Sequence, residues 1–211
     1  MSKSYLYKAA MFLILLFMVF YHDAISKEVT QEVIIDSKMT FEEAMKGNYC
    51  PEDIRSSLCI IDVQYYGFDK SIHQGQLIIN KKVKTDVEKV FKLILELKFP
   101  VKKVIPICKY NWDDNKSMKD NNSSAFNYRN IANTNRLSLH AKGFAVDINP
   151  FLNPVVYNDG HINLKGARYN IKRVGTFHKN HPVVQAFKSL GWRWGGEFNA
   201  YKDNHHFDKE D

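Results

Sequence analysis

Ser138-Leu139-His140-Ala141-Lys142-Gly143-Phe144-Ala145-Val146-Asp147-Ile148-Asn149 is the stretch on which both the fold and the chemistry of this 211-residue chain turn. Ala141-Lys142-Gly143 reads as a short bend, with Gly143 free to take a backbone conformation that a side chain resists. Beyond the bend the residues alternate. Phe144, Val146 and Ile148 point into a core, while Ala145, Asp147 and Asn149 point the other way. The spacing predicts a half-buried strand with Asp147 on its open face and small Ala145 leaving room beside it. His140, entering the bend, can return to that same face. Imidazole nitrogen and carboxylate oxygen are both good zinc ligands, but two ligands do not make a site.

A third ligand is suggested far along the chain. Asp203-Asn204-His205-His206-Phe207 follows the aromatic, glycine-rich run Gly191-Trp192-Arg193-Trp194-Gly195-Gly196. A histidine here completes two histidines and one carboxylate with an open fourth position, the pattern of catalytic zinc. Asp203 is close enough to work on water at such a centre without being a ligand. Neighbours on an extended segment point to opposite faces, so His205 and His206 are not expected to reach one metal together.

The pattern Ser138-x-His140-x-x-Gly143-x-Ala145-x-Asp147, followed by Trp192-x-Trp194-Gly195-Gly196 and Asp203-x-x-His206-Phe207, resembles the zinc D-alanyl-D-alanine carboxypeptidase and dipeptidase family. These are VanY-type metallopeptidases, a group that includes phage L-alanyl-D-glutamate endolysins. Ser124-Ala125-Phe126-Asn127-Tyr128-Arg129, and Asp147-Ile148-Asn149-Pro150 through Asn153-Pro154, are similar to its carboxypeptidase-like branch. The resemblance spans roughly Leu58 to Phe207. It implies a hedgehog/DD-peptidase-like α+β domain, Zn2+ held by His140, Asp147 and His206, and His206 rather than His205 as the ligand. It also implies a peptidoglycan stem peptide as substrate. Arg129 would hold the oxyanion or a substrate carboxylate, and Ser138 would orient substrate or a ligand, or merely cap the bend. Asp203 would be the proton carrier. A D-alanyl-D-alanine carboxypeptidase is the expected activity. The alternatives are an L-alanyl-D-glutamate-type endopeptidase and a non-catalytic wall-binding module on the same fold.

The rest of the chain fits an exported domain. An apolar fraction of 45% and a charged fraction of 25% are those of a globular protein. Residues 1–26 read as an export signal: Lys3 and Lys8, an apolar core from Ala9 to Phe20, then small residues at Ala24 and Ser26. The core is short for a membrane span, although an uncleaved anchor is the competing reading. The formal charge of +7 becomes +6 once Lys3, Lys8 and Asp23 are removed. Its lysines are scattered, without a basic run or aromatic platform, which argues against nucleic acid. The expectation is a periplasmic or extracellular monomer, with residues 27–57 a loose lead-in and 58–211 the peptidase domain.

Thr40 is the expected N-cap of a turn at Phe41 to Met45, and Pro51 starts another helix. Strands are expected at Cys59 to Phe68, Gln76 to Asn80 and Lys102 to Cys108. The clearest helix runs near 85–98, with Thr85 and Glu88 as a capping box and Val87, Val90, Phe91, Ile94 and Leu97 on its apolar face. A second lies near 182–190. Regular β–α alternation is absent, so the expected fold is a small α+β domain with a central antiparallel sheet carrying Asp147 and the terminal motif. Cys50 and Cys59 could pair in an exported protein, leaving Cys108, and the three cysteines leave three pairings open. Asp113, Asp114 and Asp120 lack the spacing of a calcium loop. His161, His178 and His181 are read as surface or capping residues.

Overall fold

The computed structural model describes residues 32–132, 134–162 and 164–210. The expected export signal, residues 1–26, lies outside them. In chain order the elements are β1 (Val33–Ile35), α1 (Phe41–Ala44), α2 (Glu52–Ser57), β2 (Leu58–Tyr66), β3 (Ile72–Asn80), α3 (Lys84–Glu96) and β4 (Lys103–Val104). Then come α4 (Asp114–Lys119), β5 (Asn122–Ser123), β6 (Ala145–Asp147), β7 (Val155–Tyr157), α5 (Pro182–Ser189), β8 (Arg193–Trp194), β9 (Tyr201–Asp203) and β10 (His206–Asp208).

Several small sheets share the work expected of one central sheet. β2 and β3 form a long antiparallel hairpin, with β1 added in parallel to β3. The sheet that matters for the site is β6-β10-β8, antiparallel throughout. β4 with β5 and β7 with β9 are two-stranded ribbons. The α+β class and the antiparallel placement of Asp147 with the terminal motif are as expected.

The apolar stripe of α3 makes the core. Val87, Val90, Phe91 and Ile94 are buried with Ile61, Val63, Leu77 and Ile79 of the hairpin, and with Val183, Val184 and Phe187 of α5. Val146 and Phe207, from β6 and β10, close the same cluster, so the site sheet is bolted to the core by residues adjacent to its ligands. Truncating a buried phenylalanine such as Phe91 or Phe207 costs about 3–5 kcal/mol, so these contacts fix the ligands' backbone firmly.

Some expectations are corrected. The stretch read as a loose lead-in carries the unexpected strand β1 beside the expected turn α1, and its Ala44 and Met45 are buried against Leu58, Ile78 and Phe126. α3 begins at Lys84 with Val83 before it and no side-chain cap, so the Thr85–Glu88 capping box does not form. The capping box is instead at Thr40–Glu43. Leu97 ends the helix and is largely exposed. The strand expected at Lys102 to Cys108 is two residues long, and Ile107–Tyr110 turns into a 3₁₀ helix after Pro106.

All three cysteines are free thiols. Cys59 packs on the main core and Cys50 on the smaller cluster, so the expected pair does not form. Asp113 caps α4, Asp114 pairs with Arg129, and Asp120 pairs with Lys103 and Tyr110. Among the described residues no helix is long and apolar enough to cross a membrane.

Candidate metal centre

His140 opens the 3₁₀ turn His140–Lys142, which Gly143 ends at φ 74°. A Cβ on Gly143 would stand 2.5 Å from the backbone nitrogen of Asn80, which donates to the Gly143 carbonyl at 2.9 Å. The bend is thus locked to the end of β3, and only glycine fits there. The hydroxyl of Ser138 accepts the His140 amide at 3.1 Å, which is the capping role.

The other two ligands meet by register. In β6–β10, His206 lies directly opposite Asp147. Side chains of such cross-strand partners share one face of the sheet and touch. Asp147 Oδ1 is 3.0 Å from His206 Nδ1, Asp147 Oδ2 is 3.3 Å from His140 Nε2, and the two imidazole nitrogens are 3.1 Å apart. The three are the described group of side chains able to hold a metal together. Asp147 is not on an open face, as the alternation implied, but buried. The strand stops at Asp147. Asn149 turns at φ 50° and buries its amide against the Pro100 and Gly175 carbonyls.

Each imidazole has its outer nitrogen engaged. His140 Nδ1–H donates to the Ala125 carbonyl, leaving the Nε2 lone pair turned inward. His206 Nε2 is 3.0 Å from Asp208 Oδ2, leaving Nδ1 turned inward. Asp208 is buried and gripped by Arg193, Nε to Oδ1 at 2.7 Å and Nη2 to Oδ2 at 3.0 Å. Arg193 and Asp208 are cross-strand partners in β8–β10.

Neither residue was singled out in the sequence. The signal was there, since His206 and Asp208 stand two apart on a strand and share a face. Metal-binding histidines are ordinarily oriented by such an outer carboxylate or carbonyl.

The electrostatics ask for a cation. Burial pushes the Asp147 carboxyl up, but the imidazoles of His140 and His205, with hydrogen bonds to His140 and His206, hold it well below the usual carboxylate range. Burial pushes His206 down, yet Asp147 and Asp208 outweigh it and raise the imidazole to about 10. The polypeptide by itself keeps a proton at the spot where three acceptor atoms converge, and a metal would take that proton's place. Four ligands about 2.0–2.1 Å from one zinc ion lie roughly 3.3 Å from each other. The spacings of 3.0–3.3 Å here fit that set.

Asp203 ends β9 beside this cluster. Its Oδ1 lies 3.1 Å from His205 Nε2, but not along a hydrogen-bonding direction, so this buried oxygen has no hydrogen-bond partner among the described residues. His205 Nδ1–H donates to the Asn153 carbonyl at 2.7 Å, and Nε2 also stands 3.8 Å from Asp147 Oδ2. His205 stands beside the cluster but is not one of the three converging ligands. β9 ends at Asp203, Asn204 and His205 make the turn, and β10 begins at His206, so strand alternation does not apply across the pair.

The Trp–Gly motif buttresses this turn. Trp194 Nε1 donates to the Asn204 carbonyl at 3.0 Å, and a Cβ on Gly195 would meet the Asp203 carbonyl oxygen at 2.5 Å. Arg129 forms an ion pair with Asp114 and is not in contact with the three ligands. Its chain neighbours are tied to the site: the Ser138 amide donates to the Arg129 carbonyl, and the Asn127 amide to that of His140. Of the remaining histidines, His181 caps α5, as expected of a capping residue.

Two imidazoles and a carboxylate, with a second carboxylate beside them, make a centre of the type hydrolytic metalloenzymes use. Residues 132–209 match the family model described as D-alanyl-D-alanine carboxypeptidase. The resemblance is borne out over that segment, which holds the bend, the three candidate ligands, Asp203 and the Trp–Gly motif. It begins beyond Arg129 and is shorter than the span set out above. No curated protein and no solved structure matches the chain.

Proposed function

We propose that this chain is an exported zinc peptidase that cleaves peptidoglycan stem peptides, and that the bond it cuts is the terminal D-alanyl-D-alanine. The observation that carries the reading is the convergence of His140 Nε2, His206 Nδ1 and the Asp147 carboxylate at 3.0–3.3 Å, inside the segment that matches the carboxypeptidase family. Zinc bound there supplies Lewis acidity towards a carbonyl and lowers the pKa of the water it holds towards about 7.

The residues do the rest. The His140 and His206 rings are oriented by Ala125 and Asp208, so neither ring has to turn when its inward nitrogen gives up a proton to a metal. Asp203, whose buried oxygen has no hydrogen-bond partner among the described residues and stands 3.1 Å from His205 Nε2, takes a proton from the attacking water and returns it to the leaving amine. Arg129 meets the terminal carboxylate of the substrate by exchanging it for Asp114, since a guanidinium binds either carboxylate through the same planar fork. Export rests on residues 1–26, and amino-terminal sequencing of the secreted protein should begin at Lys27.

The test is digestion of purified muropeptides by the zinc-loaded protein, with product masses read out. Loss of one alanine from pentapeptide stems is the expected result. Cleavage of an internal L-Ala–D-Glu bond with pentapeptide ends intact would replace it with the endopeptidase reading. Zinc binding with no cleavage would leave a wall-binding module. Asp203→Asn should keep its zinc while turnover falls by roughly 100-fold or more, the usual scale for a general base.

A further inference from the structure

A row of four rings leads away from the metal centre along the β7–β9 ribbon. Phe198 lies 6.0 Å from the His206 ring, Tyr201 6.2 Å from Phe198, Tyr157 6.1 Å from Tyr201, and His161 5.8 Å from Tyr157. None of the four belongs to either core cluster. Phe198 and Tyr201 are half-buried, Tyr157 and His161 exposed.

The ribbon's register shows which way they face. Tyr157 pairs with Tyr201, and Val155 with Asp203. Alternate residues of a strand share a face, so both tyrosines stand on the face that carries Asp203. Burial, and then the charge of Asp203, push the Tyr201 phenol up, as this closeness requires. Neither phenol has a hydrogen-bond partner among the described residues, so both hydroxyls are open to a ligand.

We propose that this row is the subsite for the sugar carried at the amino-terminal end of the stem peptide, with the glycan against Tyr157 and His161. The proposal rests on the peptidase reading above for the substrate, and adds to it the recognition of the glycan. A pyranose ring offers a face of C–H bonds that lies well on the electron-rich face of an aromatic ring, while phenol and imidazole edges meet its hydroxyl and acetamido groups.

Tyr157 and His161 are the exposed end of the row, open to a group carried outside the cleft. None of the four rings carries an ammonium or guanidinium group, and Arg193 stands over Phe198 at the inner end. The carboxylates of the stem itself would call for cations, which makes the rings better suited to the sugar than to the peptide.

Disaccharide pentapeptide and the same pentapeptide without sugar are to be compared as substrates of wild type, Tyr157→Ala, His161→Ala and Tyr157→Phe. For the two alanine variants KM on the disaccharide substrate should rise roughly 3- to 10-fold with kcat unchanged, the scale of one ring-stacking contact. The sugar-free peptide should be indifferent to them, and Tyr157→Phe should restore most of the loss. Equal losses on both substrates, or none on either, would overturn the subsite while leaving the peptidase standing.

Titration with a soluble N-acetylglucosamine tetramer gives a readout independent of hydrolysis. Wild type should bind it and Tyr157→Ala should bind it several-fold more weakly. Saccharide binding in a protein that cleaves no stem peptide would sink the peptidase reading and keep the subsite. No saccharide binding would sink the subsite. Melting curves of the variants, expected to match wild type, separate a lost contact from a lost fold.

Discussion

His206 shows how much of a metal centre lies outside its ligands. Its Nδ1 faces Asp147 only because Nε2 is held by Asp208, and Asp208 is held by two bonds from Arg193. Removing His206 and loosening it should therefore have different results. His206→Ala should abolish zinc binding, and with it the stability that bound metal confers. Asp208→Asn keeps the shape of the side chain but loses the charge that orients the ring. We expect zinc affinity to fall roughly 10- to 100-fold, the usual effect of removing such an outer partner. Competition with a chromophoric chelator measures both. Wild-type affinity in Asp208→Asn would show that the β6–β10 register alone orients His206.

The elements that carry the ligands are short, and their precision comes from turns. β6 and β10 have three residues each, too few to hold a geometry by themselves. The bend at Gly143 is pinned to β3, and the Asn204–His205 turn is pinned by Trp194 and by the close approach of Gly195. Gly143→Ala forces a side chain into left-handed backbone and against the Asn80 nitrogen. It should cost about 1–3 kcal/mol of stability. Trp194→Phe keeps the ring but leaves the Asn204 carbonyl unpaired, at about 1–3 kcal/mol. Denaturant midpoints measure both, and a neutral Gly143→Ala would mean that the bend relaxes.

For the molecule as a whole, acid is the sensitive direction. His181 caps α5 against Phe99 and Phe177, and burial, aided by the charge of His178, lowers it to about 4. Its folded pKa lies below the unfolded value of about 6.5, so the unfolded chain binds more protons between the two. The stability due to neutral His181 is thus present above pH 6.5 and is lost as pH falls through 4. The ceiling is about 3 kcal/mol, and solvent around this partly exposed ring reduces it. His181→Asn keeps a capping side chain and removes the titration. Its denaturation free energy should fall less steeply than that of wild type between pH 6.5 and 4. Identical slopes would place the acid sensitivity in the carboxylates instead.

The local chemistry could be read from the residues in order. The glycine bend after His140, the apolar faces of Lys84–Glu96 and Pro182–Ser189, and the motifs of the carboxypeptidase family are all set by neighbours a few positions apart. Their physical causes are equally local: a residue free to take positive φ, a helical period, a proline at a helix start. Register, and turns between distant segments, supplied the rest. Strand pairing put His206 opposite Asp147, and brought Arg193 to Asp208 behind it. A turn between two three-residue strands brought Asp203 and His205 round to the side of Asp147 and His206, where simple alternation put them on the opposite face. Packing elsewhere left Arg129 on Asp114. One-dimensional periodicity says which face a residue takes within an element, but which partner meets that face is settled by how the elements pack.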